Sequence, residues 1–239
     1  MPLLRYILAI CVAVLAMVWL PFALGGGPSL GIVSGIVTFK GTPPKRMPLD
    51  LTKEPACVQM HASDALLDEA IVTGRGNGLA NVVVYIEGAE GDATAAPAPA
   101  VFKQEGCQYH THVLAVRVGQ EIQIVNNDAV SHNIHPLAKA NRDWSRIQPA
   151  GTPPFSYSYE KEEFIPVKCN IHPWMHGYFA VLKTSHFAVT GEDGVFRLPE
   201  LPAGKYTINA WHESLGTQSQ EITVSAGETA VVYFVFAGK

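Results

Sequence analysis

Two kinds of hydrophobic pattern run along the chain. From Tyr6 to Leu24 the residues are apolar and none is charged, close to the ~20 residues with which a helix spans a bilayer. After the turning exit Gly25-Gly26-Gly27-Pro28, the pattern changes to short runs of strand length. Gly31 to Lys40 alternates, with Val33, Val37 and Phe39 on one face, and Gly41-Thr42-Pro43-Pro44 ends it. Val82-Val83-Val84-Tyr85-Ile86, within Asn81 to Glu87, is a run of β-branched and aromatic residues that reads as a buried strand. Val113 to Val118 and Glu121 to Val125 are two strands joined at Gly119-Gln120, and Phe155 to Glu160 alternates aromatic with polar residues. Phe164 to Val167 and Tyr178 to Lys183 add two more, and from Ala188 to Phe236 short strands alternate with Gly- and Pro-bearing turns. Ser63 to Ala70 admits a helical turn, but nothing after Leu24 has the length and period of an amphipathic helix. The expected architecture is all-β and of sandwich type, preceded by one transmembrane helix.

Composition narrows the function classes. Charged residues make up 16% of the 239 and the net charge is -4, against about 25% charged in an average domain. No basic run occurs, which argues against nucleic acid as a partner. There is no G-x-S-x-G elbow for a hydrolase and no C-x-x-C-H for haem attachment, so neither an enzyme nor a small-molecule substrate is indicated. The apolar N-terminal run exceeds the ~7–15 residues of a signal-peptide core, which favours an uncleaved anchor, although Ala23 and Gly25 also fit a cleavage site. Either way Arg5 stays cytoplasmic, and the remainder lies on the extracytoplasmic, periplasmic face of the membrane. In an oxidising compartment Cys57 and Cys107 are free to form a disulfide, the alternative being two separately buried thiols.

The candidate chemistry lies in two stretches. Cys169-Asn170-Ile171-His172-Pro173-Trp174-Met175-His176 offers a thiolate, an imidazole and a thioether spaced C-x2-H-x2-M. Soft sulfur with imidazole favours copper, and a thioether suits a weak axial position. Thioether is a poor zinc ligand. Three ligands leave the site open, and His132-Asn133, following the strand break Asn126-Asn127-Asp128, offers a fourth at a strand end. His176 and His135 are the nearby imidazoles that compete with this assignment, His176 as an alternative axial ligand to Met175.

Val118-Gly119-Gln120-Glu121-Ile122 through Asn127-Asp128 to His132-Asn133, then Cys169 to Met175, resembles the cupredoxin family, with the short ligand loop of amicyanin. The resemblance covers Tyr109 to Lys183. It implies a Greek-key sandwich with a type 1 copper held by His132, Cys169, His172 and axial Met175, and with Asn133 bracing the two ligand segments. Asp193-Gly194-Val195-Phe196-Arg197-Leu198 and Leu201-Pro202-Ala203-Gly204-Lys205-Tyr206 resemble the carboxypeptidase regulatory-like, transthyretin-type sandwich. The expected division is an anchor over 1–27, strands and loops over 28–100, a copper domain over 101–184 and a second sandwich over 185–239. Gly35-Ile36-Val37 and Asn81 to Ile86 fit as early strands of that second sandwich, whereas Asn81 to Glu87 also fits as the first strand of the copper domain. The function implied is membrane-tethered electron transfer. A membrane-bound redox partner would dock near His172 and Trp174, and Tyr6 to Leu24 would sit in the bilayer. The alternatives are an accessory subunit of a membrane redox complex, or copper storage and delivery.

Overall fold

The computed structural model describes residues 29–89 and 97–238, which build two β-sandwiches packed side by side. Tyr6 to Leu24 lies outside the described residues. Within them, helix is confined to Pro55–Met60 and a 3-10 turn at Arg75–Asn77, and no helix is long and apolar enough to cross a membrane.

In the first sandwich, Leu30–Lys40 runs parallel to Thr229–Ala237 from Ile32↔Thr229 to Lys40↔Ala237. Val195–Arg197 and Leu201–Pro202 pair antiparallel with the same strand. Period-two alternation turns Val33, Val37 and Phe39 inward against Val232, Phe234 and Phe236. Gly35 is required where the two strands meet, since a Cβ there would lie 1.8 Å from the Val232 carbonyl oxygen. The facing sheet orders Phe187–Val189, Val83–Ile86, Gly204–His212 and Gly216–Val224. Leu30–Lys40 and Val83–Ile86 therefore enter the same two sheets as the C-terminal strands. The strands of the second sandwich all lie between Ala100 and Leu182, within the stretch from Ile86 to Phe187.

That second sandwich has a five-stranded sheet in the order Val113–Arg117, His176–Leu182, Glu163–Lys168, His132–Pro136 and Arg146–Gln148. Its partner sheet orders Gln108–His110, Ala100–Glu105, Ile122–Asn126 and Phe155–Tyr157. Phe102, Tyr109, Ile124, Ile165, Tyr159 and Phe179 fill the space between them. Ala100–Glu105 escapes a purely apolar reading because Gln104, one of its two inward residues, is polar; buried, it donates to Gln148 Oε1 at 2.7 Å. Among the described residues the one α-helix sits at Pro55–Met60 rather than over Ser63 to Ala70: Pro55 suits the first helical turn, and Cys57 is pinned by its disulfide.

The two sandwiches meet through Val83, Val113, Ala180 and Leu182, flanked by Phe164 stacked on Trp211 with centroids 4.4 Å apart. Segment 45–70 belongs to neither sheet pair. It lies against the second sandwich through Leu51, Cys57 and Leu66, and Cys57 is bonded to Cys107 across a separation of 50 residues.

Candidate metal centre

Glu163–Lys168 and His176–Leu182 form an antiparallel pair whose last register is Lys168↔His176. The seven residues Cys169 to Met175 are thus the closed end of a hairpin. The Met175 amide donates to the His172 carbonyl and the Cys169 amide to the Met175 carbonyl, each at 3.0 Å, so the loop folds tightly on itself. Gly177 permits a close approach, since a Cβ on it would lie 2.7 Å from the His112 carbonyl oxygen. His132 opens the neighbouring strand His132–Pro136, which pairs with this hairpin at Val167↔Pro136 and Lys168↔His135.

This pairing brings His132, Cys169 and His172 together, with one ligand atom of each within 4.8 Å of the others. His132 Nδ1 lies 2.9 Å from His172 Nδ1, and Cys169 Sγ lies 3.8 Å from His172 Nδ1. All three are buried (0%, 3% and 1% exposed), as is Met175 at 1%, whose side chain packs in the same core cluster as Cys169. Asn133 ties the two ligand segments together. Its amide N–H donates to Cys169 Sγ at 3.3 Å, and its side-chain oxygen accepts from the Asn170 amide at 3.2 Å. His135 is directed elsewhere, to Asn170 Oδ1 and the Asp143 carboxylate. His176 is not in this group either: its Nδ1 lies 3.0 Å from the Trp174 carbonyl and its ring stands edge-on to His112.

The surroundings prepare these atoms for a cation. Burial alone would push the Cys169 thiol up, but the His132 and His172 imidazoles and the amides of His172 and Asn133 outweigh it and hold the pKa at about 6. Asp128 Oδ2 accepts from His132 Nε2 at 2.7 Å and from the Cys107 amide at 2.8 Å, while Oδ1 accepts from the Gly106 amide at 2.7 Å. A carboxylate only accepts, so Nε2 carries the hydrogen and Nδ1 turns its lone pair inward. Desolvation works against this carboxylate's charge, yet the His132 hydrogen bond and the two amides hold its pKa below the usual value. Nε2 of His172 is a buried polar atom with no hydrogen-bond partner among the described residues, and the Glu54 carboxylate is 3.7 Å away. Two inward imidazole nitrogens and an ionisable thiol, walled off from water, form a soft donor set that suits copper. Asp128 was readable only as a strand breaker, although its place four residues before His132 is the signal that would have found it.

Sequence spacing did not reveal that His172 is roofed. Segment 45–70 lies over its face of the domain: Glu54 faces the ring, and Leu51, Cys57 and Leu66 pack beside Val130 and Trp174. Trp174 Nε1 donates to the Cys107 carbonyl at 3.2 Å, and its ring centroid is 5.0 Å from that of His172. The disulfide thus fastens the roof to the backbone that also holds Asp128.

A family model of the carboxypeptidase regulatory-like domain matches residues 180–237. Among solved structures, the copper-containing nitrite reductase from Thermus scotoductus SA-01 is similar at 20% identity with a TM-score of 0.34, covering 36% of this chain and 23% of that one. This chain therefore spans under a quarter of that enzyme. An amicyanin variant in its reduced state is similar at 23% identity with a TM-score of 0.32, covering 41% of this chain and 97% of that chain. Another, in its Cu(I) form, is similar at 24% identity with a TM-score of 0.31 over the same shares of 41% and 97%. No curated protein matches the chain.

Proposed function

We propose that this chain is an electron-transfer protein that holds one copper ion between His132, Cys169, His172 and Met175, tethered to the periplasmic face of a membrane by Tyr6 to Leu24. The observation that carries the reading is the convergence of two imidazoles and a thiol of lowered pKa in a pocket shielded from water. Copper bound there supplies a one-electron couple. The chain's own residues do the rest. Asp128 keeps the His132 proton on the outer nitrogen, and the Asn133 and His172 amides donate to the thiolate. The buried walls exclude a water ligand. Such burial disfavours storage or delivery, which needs exchangeable ligands.

Because the roof covers His172, the partner docks on the roof and the ligand loop together rather than on a bare imidazole. Val58 and Met60 on the helix Pro55–Met60, and Ile171 next to His172, are exposed apolar side chains on those two segments. Small apolar contacts of this kind suit brief redox encounters.

A second reading, accessory subunit of a membrane redox complex, draws on the outer face of the other sandwich. There Ile36 pairs with Val195 and Tyr233, and with Val231 and Val235 these side chains are solvent-exposed. A contiguous apolar face is a common docking surface.

Titration of the copper-loaded chain with a one-electron reductant separates the readings. Electron transfer predicts one electron taken up per chain, reversibly, with the metal retained through repeated cycles. Release of copper on reduction would point to delivery, and the absence of specific copper uptake would leave the accessory role.

A further inference from the structure

A second cluster of metal-binding side chains lies at the junction of the two sandwiches. His112, His176 and Glu213 each bring one donor atom within 4.8 Å of the others. His112 precedes the strand Val113–Arg117, and His176 opens the strand His176–Leu182. Glu213 comes from the turn between Gly204–His212 and Gly216–Val224 of the other sandwich. Val113, Ala180 and Leu182, on the strands beside His112 and His176, pack with Val83 and with Trp211, two residues before Glu213.

The details are those of a built site. His112 is 4% exposed, and its Nε2 is paired with the Glu213 carboxylate. Among the described residues its Nδ1 has no hydrogen-bond partner, with the Glu69 carboxylate 3.6 Å away. The two histidine rings stand at 84° with centroids 5.3 Å apart. His176 Nδ1 donates to the Trp174 carbonyl at 3.0 Å, which leaves Nε2 as its free lone pair. Metal-bound imidazoles generally hold their outer nitrogen in this way, against a carbonyl or a carboxylate. The Glu213 carboxylate, its side chain 5% exposed, is the buried charge of the cluster, and a divalent cation held with the two imidazoles balances it. Glu69 is more exposed and also accepts from Gln108 Nε2 at 3.3 Å.

We propose that His112, His176 and Glu213 form a second metal site, for a divalent zinc-type ion, with Glu69 as the outer partner of His112. Two imidazoles and a carboxylate without sulfur are a set that Zn²⁺ takes at ~2.0–2.2 Å. The donors are harder than those around Cys169, so the two sites select different ions. The ion joins the sandwiches, and its presence does not depend on the copper reading.

The test is calorimetric titration of the full chain carrying Cys169→Ala with Zn²⁺, and in parallel with Co²⁺ as an optical probe. The proposal predicts one equivalent of Zn²⁺ bound and Co²⁺ ligand-field bands from nitrogen and oxygen donors. In the same background, His176→Gln and Glu213→Gln each weaken binding at least roughly tenfold. Absence of Zn²⁺ uptake overturns the proposal, as does uptake that neither substitution alters. Circular dichroism checks each variant's fold, and if His176→Gln is misfolded, Glu213→Gln decides.

Discussion

Asp128→Asn is expected to weaken copper binding by about ten- to a hundredfold, read by competition with a chelator of known affinity. Asp128 presents acceptors to three donors, the amides of Gly106 and Cys107 and Nε2 of His132. Asparagine has one acceptor oxygen and an amide group that donates. Its oxygen satisfies more donors in the Oδ2 place, facing the Cys107 N–H and His132 Nε2, and its amide group then faces the Gly106 N–H. The neutral oxygen accepts more weakly than a carboxylate, so the proton is held less firmly on Nε2 and Nδ1 becomes a weaker donor to the metal. The Gly106 amide loses its acceptor, which costs about 1 kcal/mol of stability in addition. An unchanged copper affinity would mean that the Asp128 charge has no part in preparing His132.

The double substitution Cys57→Ser and Cys107→Ser is expected to lower stability by about 4 kcal/mol, the chain-entropy value for closing a loop of this length. Denaturant unfolding measures it. The effect has a second, local component. The bond fastens the segment that places Glu54 opposite His172 and packs Leu51 and Leu66 near Trp174. Without it the roof is held by those side chains and by side-chain hydrogen bonds, His61 Nε2 with the Gly106 carbonyl at 2.7 Å and Gln108 Nε2 to the Glu69 carboxylate at 3.3 Å. Copper should then pass to a chelator faster than from the parent chain. If the unfolding midpoint falls but the release rate does not change, the roof does not gate the site.

Strand positions were legible where alternation was clean. Gly31 to Lys40 reads as a strand, and Leu30–Lys40 is one, because Val33, Val37 and Phe39 recur at period two. Its parallel partner, Thr229–Ala237, lies at the far end of the chain, and no local pattern announces that pairing. Ala100–Glu105 escaped because its inward positions include Gln104, which is tolerated there through its bond to Gln148. At the site, the residue types that make soft ligands stand at short spacing and announce themselves, as Cys169 and His172 do. Their supports do not. Asp128 bonds His132 four residues on but is fixed by the amides of Gly106 and Cys107 from another segment, and Glu54 reaches His172 from the residue before the helix Pro55–Met60. Each looks ordinary in sequence because its role exists only once distant segments meet.

In the proposed centre Cys169 ligates copper as a thiolate together with His132 and His172. The decisive measurement is the visible absorption spectrum of the copper(II)-loaded chain beside that of the Cys169→Ala variant. An intense thiolate-to-copper charge-transfer band is expected in the parent chain and absent from the variant. One equivalent of copper bound without that band, or a band that survives Cys169→Ala, would contradict that ligation.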